Sequence, residues 1–461
     1  MQQHTERLGT APLGQLLIAL SLPGIASSVT TSLYNIVNTI WVARLGHEAI
    51  AALTIVFPYQ ILFYAIGGGT GIGIGALVSR RFGERDLAAT NHIAGQIFFI
   101  SAFWGLLFIV LAVAAAEPIL HLLGATPDII DYARQYLVIT SYGAPMMILA
   151  MVMSSLIRGS GDAVKPMTIM ITGAIINVIL DPLLILGIGP FPELKVAGAA
   201  LGTLIAQSCG ALLAIYYFFS GKTSFRIRFE HLKPDWEILK DIYHVGAPSI
   251  VLQATESLAF TFFNIAVSKF GSVAIAAVGI VIRVSDLAFM PMMGVQNGLL
   301  PIIGYCFGAS NYHRLWDAVK KATFGLMGLL ALITIILEAF APGIIRIFTR
   351  EAELITITIP AFRIMLSSMV LIGPSMMIVT TFQGLSKGGT ALGLSLLRQF
   401  IVFIPLLFLF RHIFGLTGIW VSAPAADTIG VVVSLGFIWY EYRRQQRGGY
   451  LRAIAPGINR T

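Results

Sequence analysis

Charge is scarce in this chain of 461 residues: Asp, Glu, Lys and Arg together make up 11% of it. A soluble domain carries about 25%, so the deficit excludes an ordinary water-facing globule. Cysteine is nearly missing. Cys209 and Cys306 are the only two, both in apolar surroundings, which leaves no disulfide framework and no cysteine metal motif. The eight histidines form no ligand-like cluster, which argues against haem or quinone redox chemistry. The run GGGTGIGIG (Gly67 to Gly75) lacks the GK[ST] ending of a phosphate loop and lies inside an apolar segment. Close helix packing through small residues explains it better. No catalytic constellation is visible, so the chain is read as a non-enzyme without a cofactor. The start, MQQHTERLGTAPLG, lacks a basic region leading into a short apolar core and cleavage site. The first apolar segment is therefore expected to be a retained span rather than a signal peptide.

What is abundant is hydrophobic residues, 57% of the chain. Apolar runs of about 20 residues recur throughout, each long enough to cross a ~30 Å hydrocarbon core. The alternating ten-residue strands of a barrel are missing. The fold class predicted is an all-α polytopic membrane protein. Twelve transmembrane helices are expected near 15–41, 49–78, 91–116, 130–156, 165–187, 197–219, 241–268, 273–305, 318–341, 354–383, 391–411 and 416–440.

The sequence repeats itself. RLGHEAIAALTIV (Arg44 to Val56) aligns with KFGSVAIAAVGIV (Lys269 to Val281) at an offset of 225 residues. The same offset, without gaps, pairs Pro23 with Pro248, Gly69 with Gly294, Gly73 with Gly298 and Gly159 with Gly384. Six is an even number, so both halves enter the membrane from one side as parallel six-helix lobes. Such halves can enclose a cavity and rock around it, which makes a secondary transporter the leading class. The lobes are expected at 1–220 and 241–442. A cytoplasmic linker at 221–240 joins them, and a basic tail follows at 443–461.

Orientation follows the positive charges. With the N-terminus inside, 20 of the 30 Lys and Arg residues fall on the inner side and six on the outer. Both termini are then cytoplasmic. The excess of +8 sits in short loops and in the tail EYRRQQRGGYLR, which suits anionic lipid headgroups rather than nucleic acid.

Polar side chains inside spans are costly, so they mark candidate sites. Asp181 stands in GAIINVILDPLLILG, with Asn177 one helical turn earlier on the same face. Pro182 cannot donate its amide, so a local helix break is expected, exposing carbonyl oxygens. A carboxylate, an amide and freed carbonyls suit Na⁺ or a proton; the alternative is a carboxylate that merely holds a bend. Asn38, in TSLYNIVNTIW with Tyr34 and Asn35, and Thr203 are candidate neutral neighbours. Glu256 in PSIVLQATESLAF, with Gln253 at i−3, reads as a coupling or substrate contact or a structural hydrogen bond. Arg283 and Asp286, three apart, read as an internal salt bridge or as coupling groups. Asp427 in SAPAADTIG is a further carboxylate of undetermined depth. Methionines and aromatics in APMMILAMVMSS and FMPMMG offer an adaptable wall for flat organic cations, or ordinary packing.

Several stretches, in order and spacing, match a known family: LYNIVNTIWVARLG, GIGIGALVSRRFGERD, IRGSGDAVKPM, NVILDPLLI, VAGAALGT, GVQNGLLPIIGYCFGA and LTGIWVSAPAAD. From about Leu17 to Tyr442 the chain resembles the multidrug and toxic compound extrusion (MATE) transporters. The resemblance implies a V-shaped, two-lobed exporter of organic cations and other amphiphiles, exchanging them for Na⁺ or H⁺ in the prokaryotic cytoplasmic membrane. By motif its first-lobe cation site falls on Asn177, Asp181, Thr203 and Asn38. Many relatives have aspartate where Asn38 stands, so the cluster has lost one negative charge and Na⁺ coordination is weakened. Glu256 matches a helix-seven glutamate of some members, while the helix-ten acid has no counterpart. The chain is expected to act as a monomer. The alternative is a flippase or facilitator for a lipid-linked or metabolite substrate with weak or no ion coupling; a non-transporting receptor is the third reading.

Overall fold

The computed structural model describes the backbone of residues 2–454. Side chains are described for 5–446, apart from Asn35, Thr39, Ala43, His47, Phe229, Glu256, Ser257, Ser272 and Leu287. A short helix α1 (Gln2–Thr10) precedes the first lobe. That lobe holds α2 (Leu13–Ala43), α3 (His47–Gly83), α4 (Leu87–Ala114), the short α5 (Ala116–Leu122), α6 (Ile130–Gly159), α7 (Val164–Leu186) and α8 (Lys195–Phe219). The second lobe holds α9 (Trp236–Ser268), α10 (Ser272–Gly308), α11 (Tyr312–Ala339), the short α12 (Ala341–Phe348), α13 (Ala352–Leu366) and α14 (Met369–Gly384). It ends with α15 (Gly388–Leu396), a π turn at Leu397–Val402, and α16 (Phe403–Ile454).

Twelve spans result, six per lobe. Two are bent pairs. α13 and α14 meet at 43°, and α10 bends by 41° between Asp286 and Ala288. The eleventh and twelfth spans run on through one helical stretch interrupted at Gly415, whose φ of 60° and ψ of −135° are not helical. The chain folds back there. A Cβ on Gly418 would lie 2.0 Å from the Phe410 carbonyl oxygen, eight residues earlier, whereas a straight helix would separate them by about 12 Å.

The repeat is visible in the backbone. α3 and α10 each have 37 residues and begin after a glycine with the same unusual conformation: Gly46 at φ 108° and ψ 176°, Gly271 at φ 91° and ψ 174°. Positive φ there favours glycine. α4 and α11 have 28 residues each.

Symmetry also sets how the lobes meet. A Cβ on Gly69 would strike Ile250 and the Gly246 carbonyl; one on Gly294 would strike Ile25 and the Ser21 carbonyl. These are repeat-related contacts, reversed. Closer to the termini, Gly83 abuts Tyr305 and Ala309, and Gly308 abuts Arg80 and Glu84. Glycines thus bring α3 against α9 and α10, and α10 against α2, at backbone distance. The first helix of each lobe crosses over. Leu16, Leu17 and Leu20 of α2 join the second lobe's core, while Leu239 and Ile242 of α9 join the first lobe's. The bundle is closed at the end that holds α1. There Thr5 donates to the Ser160 carbonyl of the first lobe at 3.2 Å, and Arg314 of the second donates to the carbonyls of Leu8 and Ala11 at 2.9 and 2.6 Å.

The linker is docked. Gln96 of α4 donates to the His231 and Lys233 carbonyls (3.1 and 2.8 Å) and accepts from the Asp235 amide (2.9 Å). Gly95 leaves room for the His231 carbonyl.

Candidate functional site

Between the lobes lies a cavity of about 980 Å³. α2, α3, α6, α7 and α8 wall one side, and α9, α10, α14 and α16 the other. Its surface is largely methionine, aromatic and small polar residues. Met147, Met151, Phe289, Met292 and Met293 reach it from the two methionine-rich stretches; Met153 and Met290 are buried elsewhere.

Asp181 sits against this cavity, behind Asn177, and has no solvent exposure. The Asn177 amide nitrogen donates to its Oδ1 at 3.0 Å. Space for the carboxylate comes from α8: a Cβ on Gly202 would lie 2.5 Å from Oδ1. Neighbouring Thr203 lines the cavity and donates to the Ala199 carbonyl at 3.0 Å, which leaves its oxygen lone pairs available. Asp181 Oδ2 and Asn177 Oδ1 are buried with no hydrogen-bond donor, as is Asn38 Oδ1 on α2. Buried oxygens without a donor cost about 1–3 kcal/mol each, and more when charged. A hard cation or a proton removes that cost, so the Asp181 and Asn177 oxygens fit such a guest, whereas Asn38 does not line the cavity. Among the described residues no three His, Cys, Asp or Glu side chains gather in the manner of a transition-metal site.

Helix α7 departs from expectation. It runs unbroken through Pro182. Proline deletes one hydrogen bond, to the Val178 carbonyl, while packing against α8 and α2 keeps the helix continuous.

Sequence reading named Tyr34 but missed Tyr64 and Tyr136. Tyr34, which lines the cavity, lies hydroxyl to hydroxyl with Tyr64, and both Tyr34 and Tyr136 stand within electrostatic reach of Asp181. Nothing in the pattern separates Tyr64 and Tyr136 from other aromatic residues of their spans.

The second lobe contributes differently from the sequence expectation. Arg283 and Asp286 form no ion pair. Three residues apart on a helix about to bend, they diverge: Asp286 faces the cavity and Arg283 does not. Gln253 lines the cavity and touches Gly68 across the lobe boundary. The Glu256 and Asn35 side chains lie outside the described residues. Asp427 is buried and fully engaged: Arg398 Nη1 donates to Oδ1 at 2.8 Å and Ser368 Oγ to Oδ2 at 2.9 Å. Arg398 lies in the π turn, whose extra residue per turn re-aims a side chain.

The MatE family model matches twice, at residues 23–183 and 248–409, each match opening on one of the repeat-related prolines. The multidrug export protein MepA of Staphylococcus saprophyticus is 27% identical over 424 residues, 92% of this chain and 93% of that protein. Among solved structures, an outward-facing multidrug resistance MATE transporter of the MOP superfamily superposes with a TM-score of 0.90, 27% identity and coverage of 96% and 98%. A MOP-superfamily transporter from Pyrococcus furiosus, described as having a binding pocket of reversed polarity, gives 0.89, 26%, 95% and 98%. With two thirds of its length matched by that model and the same two-lobed bundle around one cavity, the chain belongs to the MATE family of membrane transporters.

Proposed function

We propose that the protein is a secondary active antiporter that exports amphiphilic drugs or organic cations in exchange for Na⁺ or H⁺. The single observation that carries this reading is the Asp181 carboxylate, buried beside the interlobe cavity with one oxygen lacking any donor. A charge in that position favours a small cation when water is excluded. Cation or proton binding neutralises Asp181 and removes the penalty of its burial. That changes which packing of α7 against α8 is preferred, and so biases the two lobe arrangements. The positive-inside asymmetry supports cytoplasmic termini; on this reading the glycine-packed closed end faces the cytoplasm and the cavity faces outward.

Neutral Asn38 favours a second reading, weakly coupled facilitation, because one carboxylate holds a cation less firmly than two. Proteoliposomes loaded with an amphiphilic dye decide between them. Export driven by an imposed Na⁺ or pH gradient in the parent, and lost in Asp181→Asn, is the expected result. Flux indifferent to both gradients would overturn antiport in favour of facilitation.

A further inference from the structure

Among the described residues, four charged side chains line the cavity: Arg158, Asp286, Arg398 and Asp427. Arg398 and Asp427 neutralise each other in the wall. That leaves one cation and one anion. Arg158, in the last turn of α6, has neither a hydrogen bond nor an ion pair among the described residues. The nearest acid along the chain, Asp162, is taken by Lys165 and by the backbone amides of Val164 and Lys165.

Arg158 stands on the cavity floor, close to the closed end. Its neighbour Gly159 rests on Gly75, and Gly75 faces Leu300 of α10 at the same level. Asp286 lies fourteen residues up α10 from Leu300, about 21 Å of helix rise. Arg158 and Asp286, both described, form no ion pair. Both charges also break the repeat. The positions 225 residues away are Gln383 and Ile61, which are neutral. Gln383 is already engaged, donating to Ser249 at 3.2 Å. Ser154 and Ser155, one turn before Arg158, line the same floor.

We propose that Arg158 is a substrate-reading group: the cavity accepts amphiphiles that carry an anionic group, a carboxylate or a phosphate, seated on its guanidinium fork. A cationic pole, where present, lies up the wall toward Asp286. This deepens the antiporter reading and rests on the cavity being the substrate chamber, but it names a class opposite to the simple organic cation.

Two dyes with one aromatic body test it: rhodamine 110, a free carboxylate, and rhodamine 123, its methyl ester. Fluorescence polarisation on the purified full chain in detergent, without any gradient, measures both affinities. The parent is expected to hold the acid at least about tenfold more tightly than the ester. Arg158→Gln should erase that preference while sparing the ester, and Arg158→Lys should retain part of it. Equal affinities in the parent, or an equal loss of both dyes in Arg158→Gln that elutes as a folded monodisperse species, would overturn the proposal. If Arg158→Gln fails to fold, the parent's preference and Arg158→Lys decide alone. Ester bound and acid ignored would sink this inference and leave the drug-export reading standing. Neither dye bound would sink both. Phosphatidylglycerol titrated against the bound acid separates the anion's sources. Displacement assigns the floor to a lipid headgroup, and no displacement assigns it to a free solute; either way Arg158 remains the reader.

Discussion

Asn177 donates one hydrogen bond to Asp181 and leaves the second carboxylate oxygen buried and unpartnered, on a helix that a proline has deprived of one backbone bond. This one-sided satisfaction is the ground for proposing Asp181 as the cation-binding carboxylate. Asp427 shows the structural case in the same cavity wall, with both oxygens occupied by Arg398 and Ser368.

Asp181→Asn is expected to abolish gradient-driven export while leaving the fold intact. The amide removes a buried charge that has only one donor, so thermal stability should stay level or rise by up to about 2 kcal/mol. Flux under separate Na⁺ and pH gradients, with melting curves in detergent, checks both halves. Glu256→Gln should retain more coupling than Asp181→Asn; identical behaviour of the two variants would remove the distinction between the lobes.

Gly202→Ala places a methyl group on Asp181 Oδ1, 2.5 Å away before relaxation. The carboxylate must move, at a cost of about 1–3 kcal/mol. Ion dependence should weaken although no titratable group has changed. Unaltered ion dependence of export would show that the position of Oδ1 does not matter.

Arg398 and Asp427 should be coupled. Asp427→Asn strands a guanidinium that is only 15% exposed, for which about 2–3 kcal/mol of destabilisation is expected. Arg398→Met combined with Asp427→Leu should recover most of that. A double-mutant cycle by thermal unfolding measures the difference, and additive losses would mean the pair is inert.

The closed end rests on glycines. Gly308→Val forces α10 away from the Arg80 carbonyl, which a Cβ would approach to 2.0 Å. Cys306, fully buried two residues earlier, should then react faster with maleimide in a Cys209→Ala background. Unchanged labelling of a folded variant would show that the lobes stay shut without this contact.

Linker docking should depend on pH. Burial, then the neighbouring His92 ring with its centroid 4.3 Å away, holds His231 below the usual histidine range. His231 Nδ1 accepts from the Arg228 amide at 3.2 Å, which requires it unprotonated. A depressed pKa means the docked state resists protonation. Its contribution is therefore full above the unfolded value of about 6.5 and declines as pH falls below it. Hydrogen exchange across residues 226–235 should accelerate on acidification from pH 7.5 to 5.5, less so in His92→Gln.

The twelve spans, their pairing into halves and Asp181 with Asn177 were legible in the chain. Hydrocarbon imposes long apolar runs, a gene-scale repeat leaves one constant offset, and a lone carboxylate in lipid is conspicuous. The glycines paired by that offset, Gly69 with Gly294 and Gly73 with Gly298, turn out in the structure to carry contacts between the lobes. Local sequence misled at Pro182, because a missing amide reads as a break while neighbouring helices keep the segment helical. It misled again at Arg283 and Asp286, because spacing along a helix does not say which side meets the cavity once the helix bends.

Composition and periodicity alone determined that this is a two-lobed membrane bundle, since those demands act on every residue of a span in the same way. Only the tertiary structure decided which polar groups are satisfied and which are left open: that Arg398 finds Asp427, that Arg158 finds no partner among the described residues, and that Gly202 makes room for Asp181. Partners distant in sequence meet through helix rotation and packing depth, and a one-dimensional pattern records neither.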